Sequence, residues 1–275
     1  MRTIIHLSDL HFGKVDPAII NPLLKLLREL APHLVAISGD LTQRARKSQF
    51  VEARQFLDRI TVPVLVVPGN HDIPWHRLLM RFFRPLARYR RYICDDLSPF
   101  FLDEELAVVG LNTARSFTTQ YGRINGQQLA AMADRFRSLG PEITKILVTH
   151  HPFDLPVNDP NTHHLIGRAE MAMAVIATSE VDILLSGHLH LPRAGVTTDR
   201  YNIVGYAALH VHAGTTTSTR GRGEANSLNI LRVNPGTVSV ERLAWDQLHR
   251  DFVKSGAAEF VRAHSGWREV ESQSN

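Results

Sequence analysis

The residues of this chain able to do chemistry fall in five short strings. They are Asp9-x-His11, Gly39-Asp40, Gly69-Asn70-His71-Asp72, His150-His151-Pro152 and Gly187-His188-x-His190. They offer carboxylate, amide and imidazole donors but no sulfur. In extended chain, residues two apart point to the same side, so Asp9 and His11 can hold one ion together. Any single string of this kind is a weak signal. Seven donors together (Asp9, His11, Asp40, Asn70, His150, His188 and His190) are too many for one ion in a usual site. They suit two transition ions sharing a bridging carboxylate. Imidazole favours Mn, Fe, Zn or Co over Mg and Ca. Two aspartates facing two divalent ions leave the site net positive. Such a site attracts a phosphate oxygen and stabilises the charge added at a five-coordinate phosphorus.

Something must bring these strings together, and in each case the preceding residues read as a buried strand. Arg2–Leu7 precedes Asp9, and Leu34–Ser38 precedes Asp40. Pro63–Val67 precedes Asn70, Lys145–Val148 precedes His150, and Val181–Leu185 precedes His188. Strand ends in an open α/β sheet converge on one rim, where such folds build their sites. Helical spacing of Ile19, Leu23, Leu24 and Leu27, and then of Phe50, Ala53 and Leu57, predicts helices between the first three strands. The β-α-β-α-β alternation predicts parallel strands with right-handed crossovers. Further helices are expected over Gln127–Leu139 and Arg168–Ser179. The last third reads as β over Tyr201–His212, Leu228–Val233 and Val238–Leu243. Residues 245–275 read as a C-terminal helix and tail. The expectation is one domain, 1–275, with the metal motifs in 1–200 and mainly second-sheet strands in 201–244.

Trp75 to Arg91 interleaves six arginines with Trp75, Leu78, Leu79, Phe82, Phe83 and Leu86. Such a stretch can lie on a membrane surface or cover an anionic substrate. The favoured reading is a solvated basic face with its apolar side in the core, interrupted at Pro85. The chain has 275 residues, 44% of them hydrophobic, enough to bury a full core. One cysteine, Cys94, excludes an intramolecular disulfide or a cysteine zinc cage and suits a reducing cytoplasm. A net charge of +4 suits an anionic substrate but argues for no obligatory nucleic-acid partner. No secretory signal or membrane-spanning run is expected, which points to a cytoplasmic protein; a homo-oligomer is compatible with the sequence.

The five strings, in order, resemble the blocks of the calcineurin-like metallophosphoesterases. The stretch from Gly214-Thr215 to Asn229 resembles the bacterial class III cyclic-nucleotide phosphodiesterase branch. The resemblance implies a four-layer αββα sandwich of two mixed β-sheets flanked by helices. It implies one metal on Asp9, His11, Asp40 and His190 and a second on Asp40, Asn70, His150 and His188, with Asp40 as the bridge. It implies attack by a metal-bound hydroxide on a small phosphodiester (a cyclic nucleotide, a glycerophosphodiester or an alkyl/aryl phosphodiester). His71 would then assist the leaving group, and Asp72 would orient a neighbouring imidazole. His151 is an alternative to His150 as ligand, though the His-x-Pro pattern favours His150. Asn112, His151, His210 and His212 are candidate substrate contacts. Arg115, Arg220 and Arg222 would grip a phosphate or satisfy loops, and loops are favoured. His163 and His164, within the 153–165 loop, are placed to cap the pocket. Rival reactions on the same site are a phosphomonoesterase, a nuclease and a lipid-linked pyrophosphohydrolase. A rival of another class is a non-catalytic scaffold, which would have lost ligands.

Overall fold

The apolar strands of the first half are buried on both faces, and that decides the architecture. Alternate residues of strand β1 (Arg2–Leu7) face different cores. Ile5 and Leu7 pack with the helices, whereas Ile4 packs between sheets. Strand β2 (Leu34–Ile37) does the same, with Val35 and Ile37 on one side and Leu34 and Ala36 on the other. A strand covered on both faces must be apolar throughout, as these are.

The computed structural model describes residues 1–118, 120–155, 164–220 and 223–270. Strand β3 (Val64–Val66) pairs in parallel with β2, and β2 with β1. Helices α1 (Pro17–Leu30) and α2 (Lys47–Leu57) make the crossovers and cover the outer face of this sheet. α1 starts one turn before Asn21-Pro22: the Asp16 carboxylate accepts from Ala18 N at 2.9 Å and Pro17 opens the first turn. The second sheet holds β4 (Phe100–Leu102), β5 (Leu106–Gly110), β6 (Thr144–Val148), β7 (Ile183–His190), β8 (Arg193–Val196) and β9 (Leu209–Gly214), in the order β4-β5-β6-β7-β9-β8. Its outer face is covered by α5 (Gly126–Phe136) and α6 (Ala169–Thr178), through Leu129, Met132, Phe136, Met173 and Ile176. Between β3 and β4 in the chain, α3 (Leu78–Phe83) and α4 (Ala87–Tyr92) fall on either side of Pro85. The two sheets face each other across Ile4, Leu34, Val108, Ile146, Leu185 and Val211. Helices, sheet, sheet and helices form the expected αββα sandwich of two mixed β-sheets.

Three expectations need correcting. First, the late strands β10 (Ser227–Asn234) and β11 (Thr237–Asp246) do not belong to the second sheet. β10 lies antiparallel to β1, so the chain returns to the first sheet, whose order, with β12 (Asp251–Ala263) and β13 (Gly266–Glu269), is β13-β12-β11-β10-β1-β2-β3. Second, residues 245–269 are not a helix. They complete β11 and form β12 (Asp251–Ala263) and β13 (Gly266–Glu269). β12 carries Phe252 and Phe260 into the cores, and ladder pairing with β11 overrides the helical propensity of its Ala, Glu and Lys residues. β13 is tied across the sandwich: Trp267 Nε1 donates to the buried Asp182 carboxylate at 3.0 Å. Third, regular strand begins only at Leu209, not Tyr201.

The Trp75–Arg91 stretch also departs from the favoured reading. α4 buries Tyr89, whose hydroxyl donates to Val66 O at 2.9 Å. α3 is inverted: Leu79 is 77% exposed and Phe83 80%, while Arg81 is 6% exposed and donates to Ser116 O and Thr118 O at 2.6 and 2.7 Å. Among the described residues, no helix is long and apolar enough to cross a membrane.

Candidate metal centre

Asp9, His11, Asp40 and Asn70 sit just past the C-terminal ends of β1, β2 and β3, on the first sheet. His150, His188 and His190 come from β6 and β7 of the second sheet. The seven residues meet where the rims of the two sheets face one another. His188 N donates to Asp9 Oδ2 at 3.1 Å, although the residues are 179 positions apart.

The backbone conformation there differs from the extended chain that the sequence suggested. Asp9, His11, Asp40, His188 and His190 all have positive φ, between 51° and 70°. Left-handed backbone at non-glycine residues costs on the order of 1–3 kcal/mol each and survives only where the surroundings enforce it. Here it turns each chain sharply and aims the side chain inward. Asp9 and His11 therefore converge through two tight turns rather than through strand alternation. Two glycines permit the crowding. A Cβ on Gly69 would lie 2.1 Å from Asp40 Oδ1, and one on Gly187 would lie 1.8 Å from Ser8 Oγ.

The donor atoms form overlapping groups. Those of Asp9, His11 and His190 lie within 4.8 Å of one another, as do those of Asp9, Asp40 and His150, those of His11, Asp40 and His71, and those of His150, His151 and His188. Ligand atoms about 2.0–2.2 Å from one ion are separated by distances of this order. His190 Nε2 is 3.1 Å and His11 Nε2 3.5 Å from Asp9 Oδ1. His150 Nε2 is 3.5 Å from Asp40 Oδ1 and 3.0 Å from Asn70 Oδ1, and His11 Nε2 is 3.9 Å from Asp40 Oδ2. Asp40 thus touches both halves of the cluster.

Hydrogen bonds sort the histidines. His150 Nδ1 lies 2.8 Å from Ser38 O, so it carries the proton and leaves Nε2 facing the cluster. His151 has both nitrogens engaged, Nδ1 with Thr113 Oγ1 at 2.8 Å and Nε2 with Gln120 O at 3.0 Å. The two neighbours differ in partner: His150 Nε2 meets Asn70 Oδ1, itself a candidate ligand, whereas both His151 nitrogens meet groups outside the seven-donor cluster. His71 Nδ1 lies 2.8 Å from Gln43 O, which fixes its proton there and turns Nε2 toward Asp40 Oδ2, 4.0 Å away. The His71 ring is 29% exposed, whereas the rings of His11 and His150 are fully buried.

Burial raises the pKa of the Asp9 and Asp40 carboxylates, but the surrounding imidazoles outweigh it and hold both well below the usual range. His150 is lowered by burial yet raised overall to about 9, chiefly by the charge of Asp40. His188 is pushed down to about 3 by burial and then by His150. Asp9 Oδ1 and both ring nitrogens of His11 are buried without a hydrogen bond among the described residues. Such atoms cost about 1–3 kcal/mol each when left unmet. Buried oxygen and imidazole donors of this kind fit divalent transition ions.

Among the described residues, the Asp72 carboxylate hydrogen-bonds no imidazole. It accepts from Leu41 N, Thr42 N, Thr42 Oγ1 and Gly69 N at 2.8–3.2 Å, clamping the loop after β2 to the loop after β3. Burial, and then the charge of Asp40, push it up to about 6.

The cluster opens into a cavity of about 260 Å³, lined by Asp40, Asn70, His71, His188 and His190 together with Gln120, His164 and Arg220. His164 Nδ1 lies 3.4 Å from His188 Nε2. Arg220, read as a loop residue, instead reaches within 3.5 Å of His71 Nε2. Gln120 and Gln43 were not legible beforehand, because glutamine in a loop carries no periodic or spacing signal. The four candidate substrate contacts do not line this cavity. Asn112 caps its own turn, its Oδ1 accepting from Ala114 N. His151 is bonded as above. His210 and His212 are buried on β9, with His210 Nε2 3.5 Å from Asp154. Arg115 holds loop carbonyls and Gln128, as expected. His163 and Arg222 lie outside the described residues.

A family model described as calcineurin-like phosphoesterase matches residues 2–192. The chain is 26% identical over 212 residues to the glycerophosphodiester phosphodiesterase GpdQ of Enterobacter lignolyticus, covering 67% of this chain and 69% of that one. It is 23% identical over 160 residues to the 3',5'-cyclic adenosine monophosphate phosphodiesterase CpdA of Haemophilus influenzae, covering 57% of this chain and 54% of the relative. Among solved structures, a dimetal phosphatase from Danio rerio superposes with a TM-score of 0.65 at 13% identity, over 92% of this chain and 98% of that one. The purple acid phosphatase PPD1 of yellow lupin gives 0.71 at 13% identity, over 94% of this chain but 53% of that one. With the rim cluster built from the five strings and the family match spanning most of its length, this chain belongs to the calcineurin-like phosphoesterase family.

Proposed function

We propose that the protein is a metal-dependent phosphodiesterase of small phosphodiesters. The observation that carries this reading is the convergence of Asp9, His11, Asp40, Asn70, His150, His188 and His190 from both sheets, with Asp40 touching both halves and His71 at the open side. Asp9, His11, Asp40 and His190 would hold one ion, and Asp40, Asn70, His150 and His188 the other. Bound ions of this kind neutralise phosphoryl charge and acidify water. The phosphodiesterase names of the bacterial relatives favour a diester over a monoester.

The chain's own groups then divide the work. Ser38 O fixes the His150 tautomer, and the His188 N–H bond to Asp9 aligns that carboxylate. Gln43 O holds the proton on His71 Nδ1, so a protonated His71 can donate only from Nε2, toward the cavity. Proton donation to the departing alkoxide is the step this geometry suits. Asp72 acts at one remove, by holding the Leu41–Thr42 and Gly69 backbones on which Asp40 and His71 depend.

The test is hydrolysis of bis(p-nitrophenyl) phosphate after chelation and add-back of Mn²⁺, Fe²⁺, Zn²⁺ or Co²⁺, with metal content measured on the same sample. Metal-restored turnover with about two ions per chain is expected. Absence of metal-dependent turnover across roughly pH 5–9, where imidazole and metal-bound water titrate, would sink the reading.

A second reading concerns where the substrate resides. The outward-facing Leu78, Leu79, Phe82 and Phe83, set among arginines, favour contact of residues 75–91 with an anionic membrane surface and hence a lipid-linked ester. Flotation with anionic vesicles tests it, and a protein that stays at the bottom of the gradient removes it.

A further inference from the structure

A second cleft, of about 630 Å³, adjoins the metal cavity and shares His71 and Arg220 with it. Lys14, Arg44, Arg46 and Trp75 line the rest of its wall, over a floor of Gln43 and Gln49. Four cationic side chains from three separate loops therefore point into one space. Among the described residues, none of Lys14, Arg44, Arg46 or Arg220 has a carboxylate within ion-pair distance. Burial, and then the charges of Arg46, Arg77, Arg88 and Arg44, hold the neighbouring His76 below its usual range, as an unneutralised positive region would.

The wall is held in place. Buried Gln49, on the first turn of α2, accepts from Arg44 N and Arg46 N at 2.9 and 3.2 Å, which fixes the loop carrying both arginines. Arg88 Nη1 donates to Ala45 O between them at 2.6 Å. Lys14 O accepts from Thr219 N and Thr219 Oγ1 at 2.7 and 3.0 Å, which sets Lys14 beside Arg220. Trp75 is 56% exposed at the edge of this cleft.

Size separates the roles of the two spaces. At about 260 Å³ the metal cavity is smaller than the roughly 300–1,000 Å³ of ordinary ligand pockets, whereas the cleft falls within that range. The cavity admits a phosphoryl group and its immediate substituents, and the cleft that shares His71 and Arg220 with it offers room for the remainder of a larger ester. There the remainder meets guanidinium forks suited to phosphate and an indole face suited to a base.

We propose that this basic cleft is a subsite for a second phosphate and its adjoining base, so that the substrate is a nucleotide phosphodiester carrying a phosphate besides the scissile one. The inference rests on the phosphodiesterase reading of the adjacent cavity and adds the substrate class to it. Calorimetric titration of the metal-loaded protein with a phosphonate-linked, non-hydrolysable diadenylate, with and without a 5'-phosphate, tests it. The 5'-phosphate should tighten binding by at least about tenfold, the scale of one or more charge-assisted hydrogen bonds. The exposed double substitution Arg44→Ser/Arg46→Ser should remove most of that gain, and Lys14→Gln, on a different loop, part of it. Trp75→Ala should weaken both ligands by about fivefold or more. Equal binding of the two ligands, or a gain that survives the double substitution, would overturn the proposal. Turnover of bis(p-nitrophenyl) phosphate, measured in parallel, reports on the metal cavity alone. Its absence would remove the proposed activity, while the binding preference would still decide the subsite.

Discussion

The metal cavity and the basic cleft share His71 and Arg220, yet they are made from different parts of the fold. The cavity is built at strand ends. Six of its seven donors are buried, five lie in left-handed backbone, and glycines at 69 and 187 allow the chains to touch. The cleft is built from loops and a helix start, with exposed cations whose loops are fixed through backbone hydrogen bonds. Strand ends are rigid because both sheets are packed on both faces, so they can hold donors at coordination distances. Loops can change length and charge without disturbing that core. Under the two proposals above, chemistry and selectivity reside in different parts of the fold: the rim supplies the reaction, and the surrounding loops select what reaches it.

That division can be tested by variants whose effects should stay on one side of it or cross it. The largest effect is expected for Asp40→Asn, which removes the carboxylate common to both donor groups. Metal analysis should show loss of at least one ion per chain, and diesterase turnover should fall to background. His71→Ala should leave the metal content unchanged while slowing turnover by about 10²–10⁴-fold, the scale of general-acid assistance. Retention of wild-type kcat would remove His71 from the reaction. Asp72→Asn should lower activity by about 10–100-fold, the usual consequence of losing a group that orients site residues. Because Asp72 also holds Thr42, one residue before Gln43 on the loop that carries Arg44 and Arg46, part of any preference for a 5'-phosphorylated ligand should be lost with it; an unchanged preference would show that the two regions stand independently.

The smallest effect is one of stability, at His6 behind the cavity. Its ring bonds Ser38 Oγ at 2.9 Å, and its pKa is lowered to about 3 by burial and then by His212. A histidine with a depressed folded-state pKa binds its proton more readily when unfolded. Its contribution is therefore complete above the unfolded value of 6.5 and is lost as pH falls toward 3. By pH 5 the loss is about 2 kcal/mol. Denaturant unfolding at pH 7 and pH 5 should show it, and His6→Gln should flatten the difference. An identical pH dependence in the variant would show that His6 does not titrate on unfolding.

Much of the cavity was legible before any coordinates, because metal ligation needs few residue types and the strands that carry them are plainly apolar. Parallel pairing of β1, β2 and β3 also followed from the alternation of elements. The late strands were harder. Nothing local in Ser227–Asn234 says that it pairs with β1, more than 200 residues earlier, rather than with β9. The stretch Asp251–Ala263 contains helix-forming residues that only the ladder with β11 holds extended. α3 misled for the opposite reason: its apolar spacing is real, but the buried Arg81 occupies the core-facing side.

By itself, the sequence determined which groups can bind metal and that they follow strands, since residue type and hydrophobic pattern are local properties. Only the tertiary structure decided which nitrogen of His150 and of His71 faces the cluster, that Asp72 clamps loops, that His210 and His212 lie outside the cavity, and that Lys14, Arg44, Arg46 and Arg220 share one cleft. Those outcomes depend on hydrogen-bond partners and loop paths set by contacts across the two sheets, which no stretch of chain encodes alone.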